Sequence, residues 1–237
     1  MMLTAFIGER FSRRARLADE DARTDFGTVQ SASLTLLALI IGFSLSMAVG
    51  RYDQRKNYEE EEANAIGTEY IRADLLSAPQ AEQMRTALKQ YLQQRILFYT
   101  ERDDAALAGI DQQTARLQDA IWQAAREGVK SGPNPVSALA VAGANDVINT
   151  QGYTQAAWWN RIPRAAWALM ILLGLFCSFL VGYGARGSKA KGWLLAVMPL
   201  TVALSFMLIA DIDSPRAGII RVVPQNLHSL AASLHTS

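Results

Sequence analysis

Asp211, Asp213 and Arg216, clustered where an apolar run ends, are the residues of this chain best placed to do chemistry. Two carboxylates and a cation at a membrane boundary could form a charged ring at the mouth of an oligomeric pore. The plainer reading is a helix end with a turn at Pro215 and a local ion pair worth little energetically. Glu59–Glu62 offers an acidic vestibule or, more simply, a solvated helix face. Val181-Gly182-Tyr183-Gly184 matches four residues of a potassium-channel filter. Such filters are re-entrant loops behind a short pore helix. Here a full-length apolar run precedes the string, Leu180 stands where threonine is required, and Arg186, Lys189 and Lys191 would repel a cation. A packing role for the glycines fits better.

No nucleophile–base pair, metal-ligand spacing or phosphate-cradling loop stands out, so no enzyme, catalytic residue, cofactor or metal site is expected. The single cysteine, Cys177, lies inside an apolar run and excludes a disulfide frame. His228 and His235 have no neighbouring carboxylate or thiol and read as surface residues. A net charge of +1 over 237 residues gives no reason to expect a nucleic-acid partner.

The elements that must position these residues follow from where charge is missing. Between Asp25 and Arg51 lie about 25 uncharged residues; Ala165–Ala185 follows Arg164, and Gly192–Ala210 follows Lys191. Each run is long enough to cross a bilayer as a helix and rich in the residues that insert most favourably. No proline interrupts Ser31–Leu76, so the first span is expected to continue into water as one rod. That continuity also argues against a cleaved signal peptide. The fold class is therefore all-α: a multi-pass helical membrane protein with three transmembrane helices and an extramembrane helical bundle. The expected segments are a basic, interfacial N-terminus (1–27), transmembrane helices at 28–50, 165–185 and 192–211, a helical domain continuous with the first (51–164), a basic hairpin (186–191) and a tail (212–237).

Within the first span Ser31, Thr35, Ala38, Gly42, Ser46 and Val49 recur at helical spacing as a small, slightly polar stripe. It either packs against another helix or lines a water-filled path, with Ser31, Thr35, Gly42 and Ser46 as the pore-lining candidates. Gly174, Ser178 and Gly182 form a second stripe, the usual device for close helix packing in lipid. Trp158, Trp159 and Trp167, with Arg161 and Arg164, read as an interfacial belt at headgroup level. Met1–Phe11, beside Arg13, Arg14 and Arg16, suits a helix lying on the membrane surface or a frayed terminus.

The segment 51–164 shows no β-alternation. Ala63, Ile66, Tyr70, Ala73 and Ser77 keep a helical spacing while Glu59–Glu62 face elsewhere, and Ser77-Ala78-Pro79 breaks the rod. Met84, Leu88, Tyr91, Leu92, Arg95, Ile96 and Tyr99 mark a second helix. Asp103 or Asp104 caps a third, on which Leu107, Ile110, Thr114, Leu117, Ile121 and Ala124 follow a heptad. Gly132-Pro133-Asn134-Pro135 precedes a fourth, from about Val136 to Tyr153.

Lys and Arg near the span ends divide evenly between the two sides. One side has Arg13, Arg14, Arg16, Arg23, Arg186, Lys189 and Lys191; the other has Arg51, Arg55, Lys56, Arg161, Arg164, Arg216 and Arg221. Short loops obey the positive-inside rule best, which places the N-terminus and hairpin in the cytoplasm and the bundle outside.

The strings LLALIIGFSLSMAVGRYDQRK, EANAIGTEYIRADLL and IADIDSPRAGIIRV resemble bacterial membrane proteins of the bestrophin-like group, over nearly the whole chain beyond Gly27. The resemblance to true bestrophins, which are pentameric anion channels, is looser. It implies an α-helical, oligomeric membrane protein of channel type. Bestrophins have four spans and a cytoplasmic helical domain; this chain lacks a clear first span, and the implied topology opposes the charge count. No bestrophin pore or calcium-clasp residue maps onto it. The expected function is a homo-oligomeric ion channel, of anions by resemblance, in the cytoplasmic (inner) membrane, with the lipid bilayer and small ions as partners. The alternative is a non-conducting scaffold or sensor acting through the bundle.

Overall fold

The computed structural model describes residues 1–14, 20–131, 135–184 and 193–235. Arg16, the Gly132-Pro133-Asn134 break and the 186–191 hairpin lie outside the described residues, as do the side chains of Arg13, Arg14, Arg23 and His235. The described secondary structure is helical throughout: α1 (Met2–Arg14), α2 (Glu20–Arg72), a 3-10 turn (Ala73–Leu75), α3 (Ala78–Thr100), α4 (Asp104–Ser131), α5 (Ser137–Trp159), α6 (Arg164–Gly184), α7 (Trp193–Asp213) and α8 (Gln225–His235). Among the described residues, three stretches are long and apolar enough to cross a membrane.

Local chemistry sets the breaks. α3 follows Ser77 at its N-cap position and has Pro79 in its first turn, where a missing N–H costs nothing. Asp103 caps α4, its carboxylate accepting the Ala106 N–H at 2.9 Å. α5 runs on to Trp159, past the expected end at Tyr153, because nothing before Asn160 breaks the helix.

The chain divides into two units, Met1–Gly50 with Arg161–Ser214, and Arg51–Asn160 with Pro215–Ser237. In the first, α1 does not lie alone on a surface. Ala5 and Gly8 meet α6 so closely that a Cβ on Gly182 would overlap the Ala5 carbonyl and one on Gly8 the Phe179 carbonyl. At 13 residues, α1 reaches roughly 20 Å, short of the hydrocarbon thickness. Gly174 faces Met1 and Phe206, and the Ser178 hydroxyl donates to the Gly174 carbonyl at 2.7 Å. Leu37, Met170, Cys177, Val202 and Phe206 form the apolar centre of this unit. Gly182→Ala is expected to push α1 off α6, speeding amide hydrogen exchange over residues 2–11, because two backbones cannot yield to a methyl. Gly109→Ala, with open space around its Cβ, serves as the tolerated control.

The second unit packs α3, α4, α5, α8 and the 51–72 part of α2 around Ile66, Met84, Leu88, Tyr91, Ile121, Ala144 and Leu227. The tail is thus part of the bundle, with Val222 and Leu227 in its core.

Candidate functional site

From Arg55 onward, α2 and the turn that follows it face inward at Arg55, Glu59, Glu62, Ile66, Glu69 and Ala73, in alternating steps of four and three. All six are buried, and four of them are ionisable. The expectation that Glu59–Glu62 form a solvated face is therefore corrected: Glu60 and Glu61 are exposed, but Glu59 and Glu62 are not.

Each buried charge has a defined partner set except one. Arg55 donates through Nε to the Ala157 carbonyl at 3.2 Å and through Nη2 to the Asn160 carbonyl at 3.4 Å, a cation at the C-terminal end of α5. Glu59 accepts from Asn226 Nδ2 at 2.6 Å and from the Leu227 N–H at 3.0 Å, so a carboxylate holds the first turn of α8. Glu62 accepts from Arg95 Nε at 2.9 Å and from the Tyr99 hydroxyl at 3.1 Å. Burial pushes the Glu62 carboxyl above the ordinary range, opposed by the charge and hydrogen bond of Arg95. Glu69 is the exception, with no hydrogen-bond partner among the described residues.

Arg95 stacks on Phe98, its guanidinium carbon 4.3 Å from the ring centre. Phe98, Tyr99 and Trp158 meet edge to face, with centroids 5.0 to 5.6 Å apart. Arg216 lies 4.6 Å from the Phe98 ring and 4.5 Å from that of Trp158, and donates to the Phe98 and Glu101 carbonyls. These contacts tie Arg95, Arg216 and the three aromatic rings into one cluster. No group of His, Cys, Asp and Glu among the described residues could hold a metal.

The Asp211–Asp213–Arg216 mouth is corrected in the same way. Asp213 is 5 % exposed, and its carboxylate accepts the Ile162 N–H at 3.0 and 3.1 Å, securing the segment that enters α6. Arg216 is committed to the aromatic cluster of the other unit, and Asp211 is half-buried. Trp158 leaves the interfacial belt, being 4 % exposed; Trp159 is 74 % exposed and Trp167 half-buried against the apolar centre of the spans. Val181-Gly182-Tyr183-Gly184 is helical, so its carbonyls form no filter loop.

Ser31, Thr35, Gly42 and Ser46 are all exposed along one side of α2, whose other side buries Leu37, Ser44 and Ala48. Thr35 donates back to the Ser31 carbonyl at 2.9 Å, and nothing approaches the Gly42 Cβ position within 4 Å. No described residue covers this stripe.

The sequence profile of the Bestrophin-like domain matches residues 2–227. In structure the chain is similar to a bacterial bestrophin homologue from Klebsiella pneumoniae. A single-substitution variant of that protein superposes with a TM-score of 0.72 at 12% identity, covering 99% of this chain and 96% of that one. A second structure of the homologue gives 0.69 at 13%, covering 98% and 94%. No curated protein matches the chain by sequence. With the profile spanning the apolar helices and the bundle alike, this helical membrane protein belongs to the Bestrophin-like domain family.

Proposed function

We propose that the chain assembles into a homo-oligomer that conducts small ions, anions by its family resemblance, along an axis lined by Ser31, Thr35, Gly42 and Ser46. The observation that carries this reading is the uncovered polar stripe on a helix otherwise flanked by exposed Leu36, Leu39, Phe43 and Met47. Hydroxyls facing lipid gain nothing, whereas around an oligomer axis they face water or ions. The apolar flanks, with Leu172 and Phe176 of α6 and Leu204 and Met207 of α7, then meet lipid or neighbouring copies.

The test is ion flux through purified protein in liposomes, under chloride and potassium gradients separately. Ser46→Trp is expected to cut the flux by about tenfold or more by filling the path, while Leu172→Trp leaves it unchanged. Folded, oligomeric protein without flux under any gradient would favour the scaffold reading. The location belongs to the same proposal: a multi-pass protein of the cytoplasmic membrane. The side of the bundle divides the charge count, which places it outside, from the family resemblance, which places it inside. Reaction of Glu61→Cys with a membrane-impermeant thiol reagent in intact cells separates the two.

A further inference from the structure

Glu69 of α2 is completely buried, and neither oxygen of its carboxyl group has a hydrogen-bond partner among the described residues. Its place is made by an absence on α5. A Cβ on Gly143 would overlap Glu69 Oε2 and lie 2.8 Å from Arg72 Nη1. The neighbouring α5 residues Ala140, Ala144 and Val147 are fully buried and apolar, so this helix face offers no side-chain donor to an anion. The charged groups nearby are Arg72 of the same helix, half-buried, and Asp146 of α5, exposed, 3.9 Å apart; Asp146 partly offsets the pull of Arg72 on the carboxyl. Asp74, in the turn that ends α2, pairs with Arg85.

An ionised carboxylate held this way would be desolvated with no hydrogen bond and only the Arg72 charge, shared with Asp146, to offset the cost; a neutral carboxylic acid is far cheaper to bury. We propose that Glu69 is a proton-binding site: α5 closes on the neutral acid, and loss of the proton loosens the α2–α5 contact. Burial, opposed by Arg72 and reinforced by Asp146, lifts this carboxyl from 4.5 to about 8. The folded chain therefore keeps a proton that the unfolded chain releases between these two values. Across that window stability falls as pH rises, by about tenfold in the folding constant per pH unit, and it levels off above. The inference stands on the second unit alone and does not depend on conduction.

The experiment combines infrared spectroscopy and thermal melting of the full-length protein, with Glu69→Gln as the isosteric neutral variant and Glu69→Asp as a second. A protonated-carboxyl band is expected in wild type at about pH 6 and should bleach as pH passes about 8. It should be missing in Glu69→Gln and retained, with a moved midpoint, in Glu69→Asp. The melting temperature of wild type should drop against that of Glu69→Gln between pH 4.5 and about 8. Parallel melting curves, or a wild-type spectrum with no band bleaching in that range, would overturn the proposal, and bleaching on addition of a metal cation at fixed pH would reassign the site.

Discussion

Arg95→Met is expected to destabilise the protein by about 3–5 kcal/mol, as removal of one partner from a buried ion pair does. Whole domains are stable by only about 5–15 kcal/mol, so the variant should accumulate poorly or melt at markedly lower temperature. The cause is less the lost attraction than what remains. Glu62 would stay fully buried with the Tyr99 hydroxyl still donating to it but without its cation, and Phe98 would lose the guanidinium stacked 4.3 Å above it. The double variant Glu62→Leu with Arg95→Met removes both charges together and should recover most of the loss. Thermal or denaturant unfolding of the solubilised protein, followed by circular dichroism, measures all three. A double variant as unstable as Arg95→Met alone would show that shape, not charge, holds this position.

Much of the architecture was legible because apolar periodicity reports burial directly. The α3 positions Met84, Leu88, Tyr91, Leu92, Arg95, Ile96 and Tyr99 are all buried, as are the α4 heptad residues Leu107, Ile110, Thr114, Leu117, Ile121 and Ala124. The charged core was not read, although two signals pointed to it. Arg95 sits on an otherwise apolar stripe, and a buried guanidinium requires a carboxylate facing it. The register 55, 59, 62, 66, 69, 73 on α2 supplies that carboxylate, but composition had assigned the glutamates to solvent. Hydropathy cannot distinguish a paired charge from a solvated one when the partner lies 33 residues away. The same limit applies to α1. Ala5 and Gly8 are unremarkable until Gly182 brings a second backbone against them, and no one-dimensional pattern contains that approach. Asp213 failed differently: its two acceptor bonds go to the Ile162 main chain, which carries no sequence signal at all.

Trp158→Ala is expected to cost about 3–5 kcal/mol, while Trp159→Ala should change stability by no more than about 0.5 kcal/mol. Adjacent helical positions point about 100° apart, so one ring can be core while its neighbour is surface. Trp158 fills the space between Phe98, Tyr99 and the Arg216 guanidinium, and its loss opens a cavity under all three. Arg216 would keep its bonds to the Phe98 and Glu101 carbonyls but lose one of the two aromatic faces that hold its plane. Unfolding of both variants under identical detergent conditions reads the difference. Equal, small effects would return Trp158 to the membrane interface; a large effect confined to Trp158 would fix it as the hinge pin of the bundle, joining α3, α5 and the segment that leads to α8. Trp159, exposed beside it, has no such cluster to lose, and its alanine variant should leave the melt unchanged.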